Sequence, residues 1–159
     1  MANPRIRRAK RGDLKAIAGI VRNIWDHGGN ALMEKRYGRI GGKPWQEWTA
    51  GEIVGELKKI LPQVAVTEVN GEIVGFASYL LDRKKKVGMV GYNGVSNRFQ
   101  GLGIGTRQLQ WVLTQLRKKG MRYAQVITGL NRGHKPARRL YEKTGFVPLL
   151  KSITYTKRF

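Results

Sequence analysis

Apolar residues recur every three or four positions after Asp13. Leu14, Ile17, Ala18, Val21, Ile24 and Trp25 line one face of a helix that Asp13 is placed to cap. Before them, residues 5–9 (RIRRA) alternate as a first strand. Residues 26–44 are glycine-rich and polar, and they read as a long loop with room for one short helical turn. Thr49 and Glu52 have capping-box spacing at the head of a second helix, whose inner face is Ile53, Leu57 and Ile60. The period then drops to two. Residues 63–69 (QVAVTEV) alternate, Asn70-Gly71 makes a hairpin turn, and residues 72–81 return as a second strand. Residues 87–95 (VGMVGYNGV) form a third antiparallel strand, whose glycines mark a bulge or a place where a ligand approaches the backbone. A helix follows with Ile104, Leu109, Val112, Leu113 and Leu116 on one face and Gly120 at its end. Residues 123–130 (YAQVITGL) read as a buried strand. Residues 134–146 read as a helix with Pro136 near its start and Gly145 at its end. FVPLL and SITYTKR close the chain as two strands, paired as a hairpin. The order β-α-α-β-β-β-α-β-α-β-β describes one α/β (α+β) domain over residues 1–159, a mixed sheet with helices on both faces.

Composition narrows the chemistry. The absence of cysteine removes a disulfide scaffold, a thiolate metal site and a cysteine nucleophile, and it fits a reducing cytoplasm. The first residues lack the apolar core of a signal peptide, and no apolar run is long enough to span a bilayer. A cytoplasmic location and no metal site are therefore expected. Charge stands out: 31 Lys and Arg against 10 Asp and Glu, a formal net charge of +21. Such a field attracts nucleic acid, anionic membrane or a phosphate-rich cofactor. The tightest runs, residues 83–86 (RKKK) and 117–119 (RKK), are short enough to belong to a turn or a helix C-terminus.

Residues 98–109 (RFQGLGIGTRQL) place three glycines at the head of a helix. A helix N-terminus carries unpaired N–H groups and partial positive charge, and glycines let those groups converge without Cβ atoms in the way. The segment can therefore cradle a phosphate. It is neither familiar cradle: Thr106 stands where G-x-G-x-x-G needs its third glycine, and no lysine with Ser or Thr completes a G-x-x-x-x-G-K-[ST] loop. Taken alone, the glycines would serve a tight turn and close helix packing equally well.

The surrounding motifs decide between these readings. VSNRFQGLGIG, followed in register by ARRLYEKTGF (residues 137–146), resembles the GNAT superfamily of acyl-CoA-dependent N-acyltransferases. That family's loop pattern, Q/R-x-x-G-x-G/A, is filled by Gln100, Gly103 and Gly105, and the match covers about residues 87–147. The resemblance implies a GNAT-like fold and acetyl-CoA as cofactor. It implies that the strand ending at Val95 splays from the strand at 123–130 and that the pantetheine arm lies in the gap. Gln100, Gly101, Leu102, Gly103, Ile104, Gly105 and Thr106 would then surround the pyrophosphate. Val95 would offer its N–H to the acetyl carbonyl, and Tyr141 would protonate the leaving thiolate. One departure is plain: where the family often has an asparagine seven positions before the tyrosine, this chain has His134. A histidine can donate one hydrogen bond to a pantetheine amide, or simply cap the helix. Asn97 also replaces a proline common in the loop.

The amine side is less defined. The strand at 87–95 has no carboxylate, so the base candidates are Asp26 with His27, Glu68, Glu72, Asp82 or water alone. Asp26 and His27 end the first helix, where the family places acceptor-binding residues; they would equally serve as a C-terminal cap. Trp45 and Trp48 either wall an acceptor pocket or pack the second helix, and their helical spacing favours packing. The expected reaction is direct acetyl transfer, in a ternary complex, to a primary amine of a small molecule or peptide. Two alternatives use the same fold without catalysis: a nucleic-acid or ribosome-binding module, and an acetyl-CoA-sensing module. A homodimer is left open.

Overall fold

Five strands form one sheet in the order β1-β2-β3-β4-β5: β1 (Arg5–Arg8), β2 (Val64–Val69), β3 (Glu72–Asp82), β4 (Val87–Val95) and β5 (Tyr123–Val126). The computed structural model describes residues 3–159. The first four strands pair antiparallel and β5 joins β4 in parallel, as the crossover through a helix requires. The helices are α1 (Leu14–Ile24), α2 (Gly29–Tyr37), α3 (Trp45–Lys59), α4 (Ile104–Lys118) and α5 (Lys135–Lys143). This is the expected α+β architecture with both faces of the sheet covered. On one face Ile17, Val21, Ile53 and Leu57 from α1 and α3 pack on Val64, Val66 and Phe76. On the other, Leu109, Val112 and Leu116 of α4 and Tyr141 of α5 pack on Ala77, Tyr79 and Val90. The two basic runs fall where short cationic runs belong, in the β3–β4 turn and at the C-terminal end of α4.

Several local expectations are corrected. Residues 26–44 hold a nine-residue helix, α2, whose pattern is nearly non-amphipathic because only Ala31 is buried. Helix α3 starts at Trp45, four residues before Thr49. Thr49 is therefore inside the helix and buried, where it accepts a hydrogen bond from Asn30 Nδ2 at 3.2 Å. The α3 N-terminus is capped from outside its own sequence, by Glu34 Oε2 accepting the Trp45 N–H at 2.7 Å. Asp13 turns backwards instead of capping α1: it accepts the Lys10 N–H at 2.7 Å and pairs with Arg7, which also holds Glu68 at 2.6 Å. Strand β5 has only four residues and is exposed, not buried. The two final strands are absent: residues 146–159 carry no regular secondary structure and are exposed from residue 147 onwards.

The break in β4 positions the site. Strands β4 and β5 pair only over Val87–Val90 and Tyr123–Val126. Beyond Val90, the register against β3 slips, so that Gly91 and Tyr92 together face Ser78. This is a bulge, which bends and twists the strand that carries it. Ser78 Oγ satisfies the displaced Tyr92 carbonyl at 2.9 Å, and a Cβ on Gly91 would strike that same Ser78 Oγ. The bulge thus sits where β4 leaves β5 and continues alone beside β3 to Val95.

Candidate active site

The loop after β4 passes through one short turn at Asn97–Phe99 and enters α4 through Gly101 and Gly103, at φ +78° and +76°. Both lie in the left-handed region, where any other residue is strained. A Cβ on either would meet nothing within 4 Å. Side chains at these two positions would therefore enter open space. The first backbone bond of α4 is Arg107 N–H to the Gly103 carbonyl at 3.1 Å. Among the described residues, the N–H groups of Leu102, Gly103, Ile104, Gly105 and Thr106 have no protein acceptor. Five consecutive free donors at the positive end of a fifteen-residue helix suit a diphosphate.

Two amides hold this loop in place. Gln100 Nε2 donates to the Val95 carbonyl at 3.1 Å and to Asn97 Oδ1 at 3.0 Å, so its side chain ties the loop to the end of β4. Gln108, buried one turn into α4, donates to Thr67 Oγ1 at 3.0 Å. It is the one polar residue on the apolar side of that helix, a signal that sequence reasoning passed over. The first turn of α4 also lies against α5, with Leu140 Cδ2 3.6 Å from where a Cβ on Gly105 would stand.

The unpaired edge of β4 faces the gap. Ser96 N–H donates to the Val74 carbonyl at 2.8 Å, toward β3. Since successive N–H groups of an extended chain point to opposite sides, Val95 directs its own away from β3, into the split. Across that split stands Tyr141, whose ring is 7% exposed and packs edge-to-face on Phe146. Its hydroxyl meets Asn93 of β4, with Nδ2 donating at 3.4 Å. Because Asn93 is the donor, the phenolic proton is free for another partner. Burial raises the Tyr141 pKa above the ordinary phenol value and the Asn93 contact offsets this only in part, so the proton is retained at neutral pH. Asn93 escaped the sequence reading; its signal was a lone amide within an otherwise apolar, glycine-rich strand.

The third group gathers at the mouth of the split. Trp25 stacks on Phe76 and edges onto Tyr92, and Gly94 lets α1 lie close over β4. Asp26 and His27 follow directly, with His27 Nδ1 3.0 Å from Asp26 Oδ1. The His27 ring meets the His134 ring edge-to-face at 4.4 Å, and Asn131 Nδ2 donates to the His27 carbonyl at 3.0 Å. The α1–α2 loop and the segment leading into α5 are thereby in contact. Asp26, His27 and His134, distant in sequence, form one cluster. His134 is the N-cap residue of α5, two helical turns from Tyr141. Burial, then His27 and Arg138, push its pKa below the ordinary histidine value of about 6.5.

That direction carries a stability prediction. A depressed folded-state pKa means the unfolded chain binds the proton more readily, so the contribution is full above pH 6.5 and lost as pH falls through the folded pKa. The melting temperature should drop more in wild type than in His134→Gln between pH 7.5 and 5. Equal drops would place the acid sensitivity elsewhere.

The other base candidates each lie beside a cation. Glu68 belongs to the Arg7 pair at 2.6 Å, Glu72 faces Arg98 at 3.8 Å and Asp82 faces Lys85 at 3.7 Å. Trp45 and Trp48 are not core residues. With Met33, Ile40, Asn30 and Glu34 they line a cavity of about 270 Å³ between α2 and α3 instead of packing α3 on the sheet.

Comparison with known proteins agrees with this geometry. A model of the acetyltransferase (GNAT) family matches residues 29–146. Among solved structures, PH1933 from Pyrococcus horikoshii OT3 is 27% identical with a TM-score of 0.69, over 94% of this chain and 92% of that one. A GNAT family acetyltransferase from Brucella melitensis, solved in complex with acetyl-CoA, is 21% identical at TM-score 0.63, covering 93% and 85%. The ribosomal-protein-S18-alanine N-acetyltransferase from Escherichia coli is 19% identical at TM-score 0.65, covering 93% and 80%. A search of curated proteins returns no match. With a family model spanning most of its length, this chain belongs to the acetyltransferase (GNAT) family, whose members use acetyl-CoA.

Proposed function

We propose that the chain transfers an acetyl group from acetyl-CoA directly to a primary amine, with both substrates bound together. The observation that carries this reading is the pairing of five free N–H groups, at the head of α4, with a protonated Tyr141 across the β4–β5 split. Acetyl-CoA supplies an activated thioester. The N–H groups of residues 102–106 hold its diphosphate, and Gln100 keeps their loop on β4. The Val95 N–H polarises the acetyl carbonyl and stabilises the charge that develops on its oxygen. As the amine nitrogen bonds to that carbon and the carbon–sulfur bond breaks, Tyr141 gives its proton to the sulfur. His27, with Asp26 beside it, takes the proton the amine gives up, and His134 holds a pantetheine amide. With no cysteine in the chain, acyl transfer through a thiol on the protein is not available.

On the acceptor side, the cleft of Trp45, Trp48, Met33 and Ile40 with the single carboxylate of Glu34 suits an amine with an apolar body. The test is a screen of amine classes for free-thiol release from acetyl-CoA. Small amines with an apolar body should give turnover well above the amine-free rate. Binding of acetyl-CoA with no release for any amine would overturn the catalytic reading in favour of a sensing module.

A second reading has its own observation. Arg8, Arg83 and Lys119 line an open cavity of about 410 Å³ that also involves the ends of β1 and β3. A nucleic acid docked there would bind with a steep inverse dependence on salt, measurable by titration across ionic strength.

A further inference from the structure

One buried amide lies behind the N–H that Val95 turns into the split. The strand register sets Thr67, Gly75 and Val95 side by side across β2, β3 and β4. The middle place of that row has no side chain, and Gln108 of α4 fills it. A Cβ on Gly75 would strike Gln108 Nε2 and stand 2.9 Å from the Gly94 carbonyl oxygen. The missing side chain therefore lets the amide reach the backbone of β4.

Gln108 is 2% exposed, so both of its N–H bonds need acceptors. One goes to Thr67 Oγ1 at 3.0 Å, and the other faces the Gly94 carbonyl at 3.5 Å. Among the described residues these are its two acceptors. The nitrogen is the end that turns inward, because the amide oxygen would meet a carbonyl that can only accept. The Gly94 carbonyl and the Val95 N–H belong to one peptide unit. That unit is planar and trans, so the two groups point in opposite directions. Gln108 thus holds the rear of the plane whose front enters the split. Gln100 holds the next carbonyl, that of Val95, at 3.1 Å, so the peptide planes on both sides of Val95 are fixed by amides.

We infer that Gln108 is a positioning residue for acetyl transfer: it fixes and polarises the Gly94–Val95 peptide, so that the Val95 N–H meets the acetyl oxygen as a stronger donor. The inference rests on the Val95 role proposed above. Hydrogen bonds in a chain polarise one another, and this chain runs from the Gln108 amide through one peptide unit to the acetyl oxygen. At 3.5 Å the rear contact is long, and it has room to tighten as negative charge develops on that oxygen.

Infrared difference spectra of acetyl-CoA, isotope-labelled at the acetyl carbonyl, test this without an amine acceptor. Bound to wild type, the carbonyl stretch should fall below its value for acetyl-CoA in solution. Bound to Gln108→Met, which keeps an unbranched side chain of similar length, it should return most of the way. With an acceptor from the thiol-release screen, Gln108→Met should lose about tenfold in kcat, while the KM for acetyl-CoA changes by less than about threefold. Gln108→Leu lacks the same donor in a different shape and should behave alike, and melting curves show which variant is folded. A wild-type stretch equal to that in solution overturns the Val95 role, and this inference with it. A lowered stretch that both variants leave unchanged overturns this inference alone and makes Gln108 a structural tie between α4 and the sheet.

Discussion

Gly103→Glu should weaken acetyl-CoA binding by about 100-fold or more, close to 3 kcal/mol, with the fold retained. The reasoning is electrostatic and local. Gly103 lies within the run of free N–H groups at residues 102–106, and a Cβ there projects into open space. A carboxylate on that Cβ occupies the place of the diphosphate and repels it. Gly103 has φ +76°, so any side chain adds strain of about 1 kcal/mol. Gly103→Ala carries that strain without the charge, and it should lose less than about tenfold in affinity. Calorimetric titration of both variants, alongside their melting curves, separates the two effects. Equal affinities for the Glu and Ala variants would mean that no anion rests on this loop.

Tyr141→Phe should lower kcat by about 100-fold while changing the KM for acetyl-CoA by less than about threefold. The phenol ring is part of the core beneath the split, and phenylalanine keeps that packing. Its hydroxyl has one protein partner, Asn93, at a distance that contributes little to stability. The melting temperature should therefore barely move. What is lost is a proton source near a leaving thiolate, which ordinarily has a pKa of about 8.5 and must then take its proton from water. Turnover with an acceptor found by the thiol-release screen is the measurement. An unchanged kcat removes the acid role and leaves Tyr141 as a core residue.

The parts of the fold that were legible in the sequence are those where local pattern and tertiary demand agree. The period of α1 follows from residues that all face one sheet, and Asn70-Gly71 adopts positive φ at both positions, as the hairpin turn requires. The glycines of β4 announced a bulge, and Gly91 beside Ser78 shows it, while Gly88 makes room for the Leu116 side chain instead. Illegible stretches lacked a local signal. Helix α2 buries almost nothing, so it has no apolar stripe to betray it, and it is held through side chains of α3 such as Thr49 and Glu52, which take hydrogen bonds from Asn30. The start of α3 was displaced because its cap, Glu34, is borrowed from another helix. The final strands were read from a genuine alternation, but a strand exists only when an edge pairs with it, and among the described residues none pairs with this segment.

Covalent order alone therefore determined the family and the stretch of free N–H groups at the head of α4, because a run of small residues ahead of a helix acts through backbone conformation that neighbours along the chain impose. Tertiary structure decided what those groups face. Only packing of α5 against α4 and β4 could set Tyr141 on Asn93, and only the contact of two loops could bring Asp26, His27 and His134 together. Distances between residues remote in the chain depend on how whole faces bury one another, and no local period encodes that.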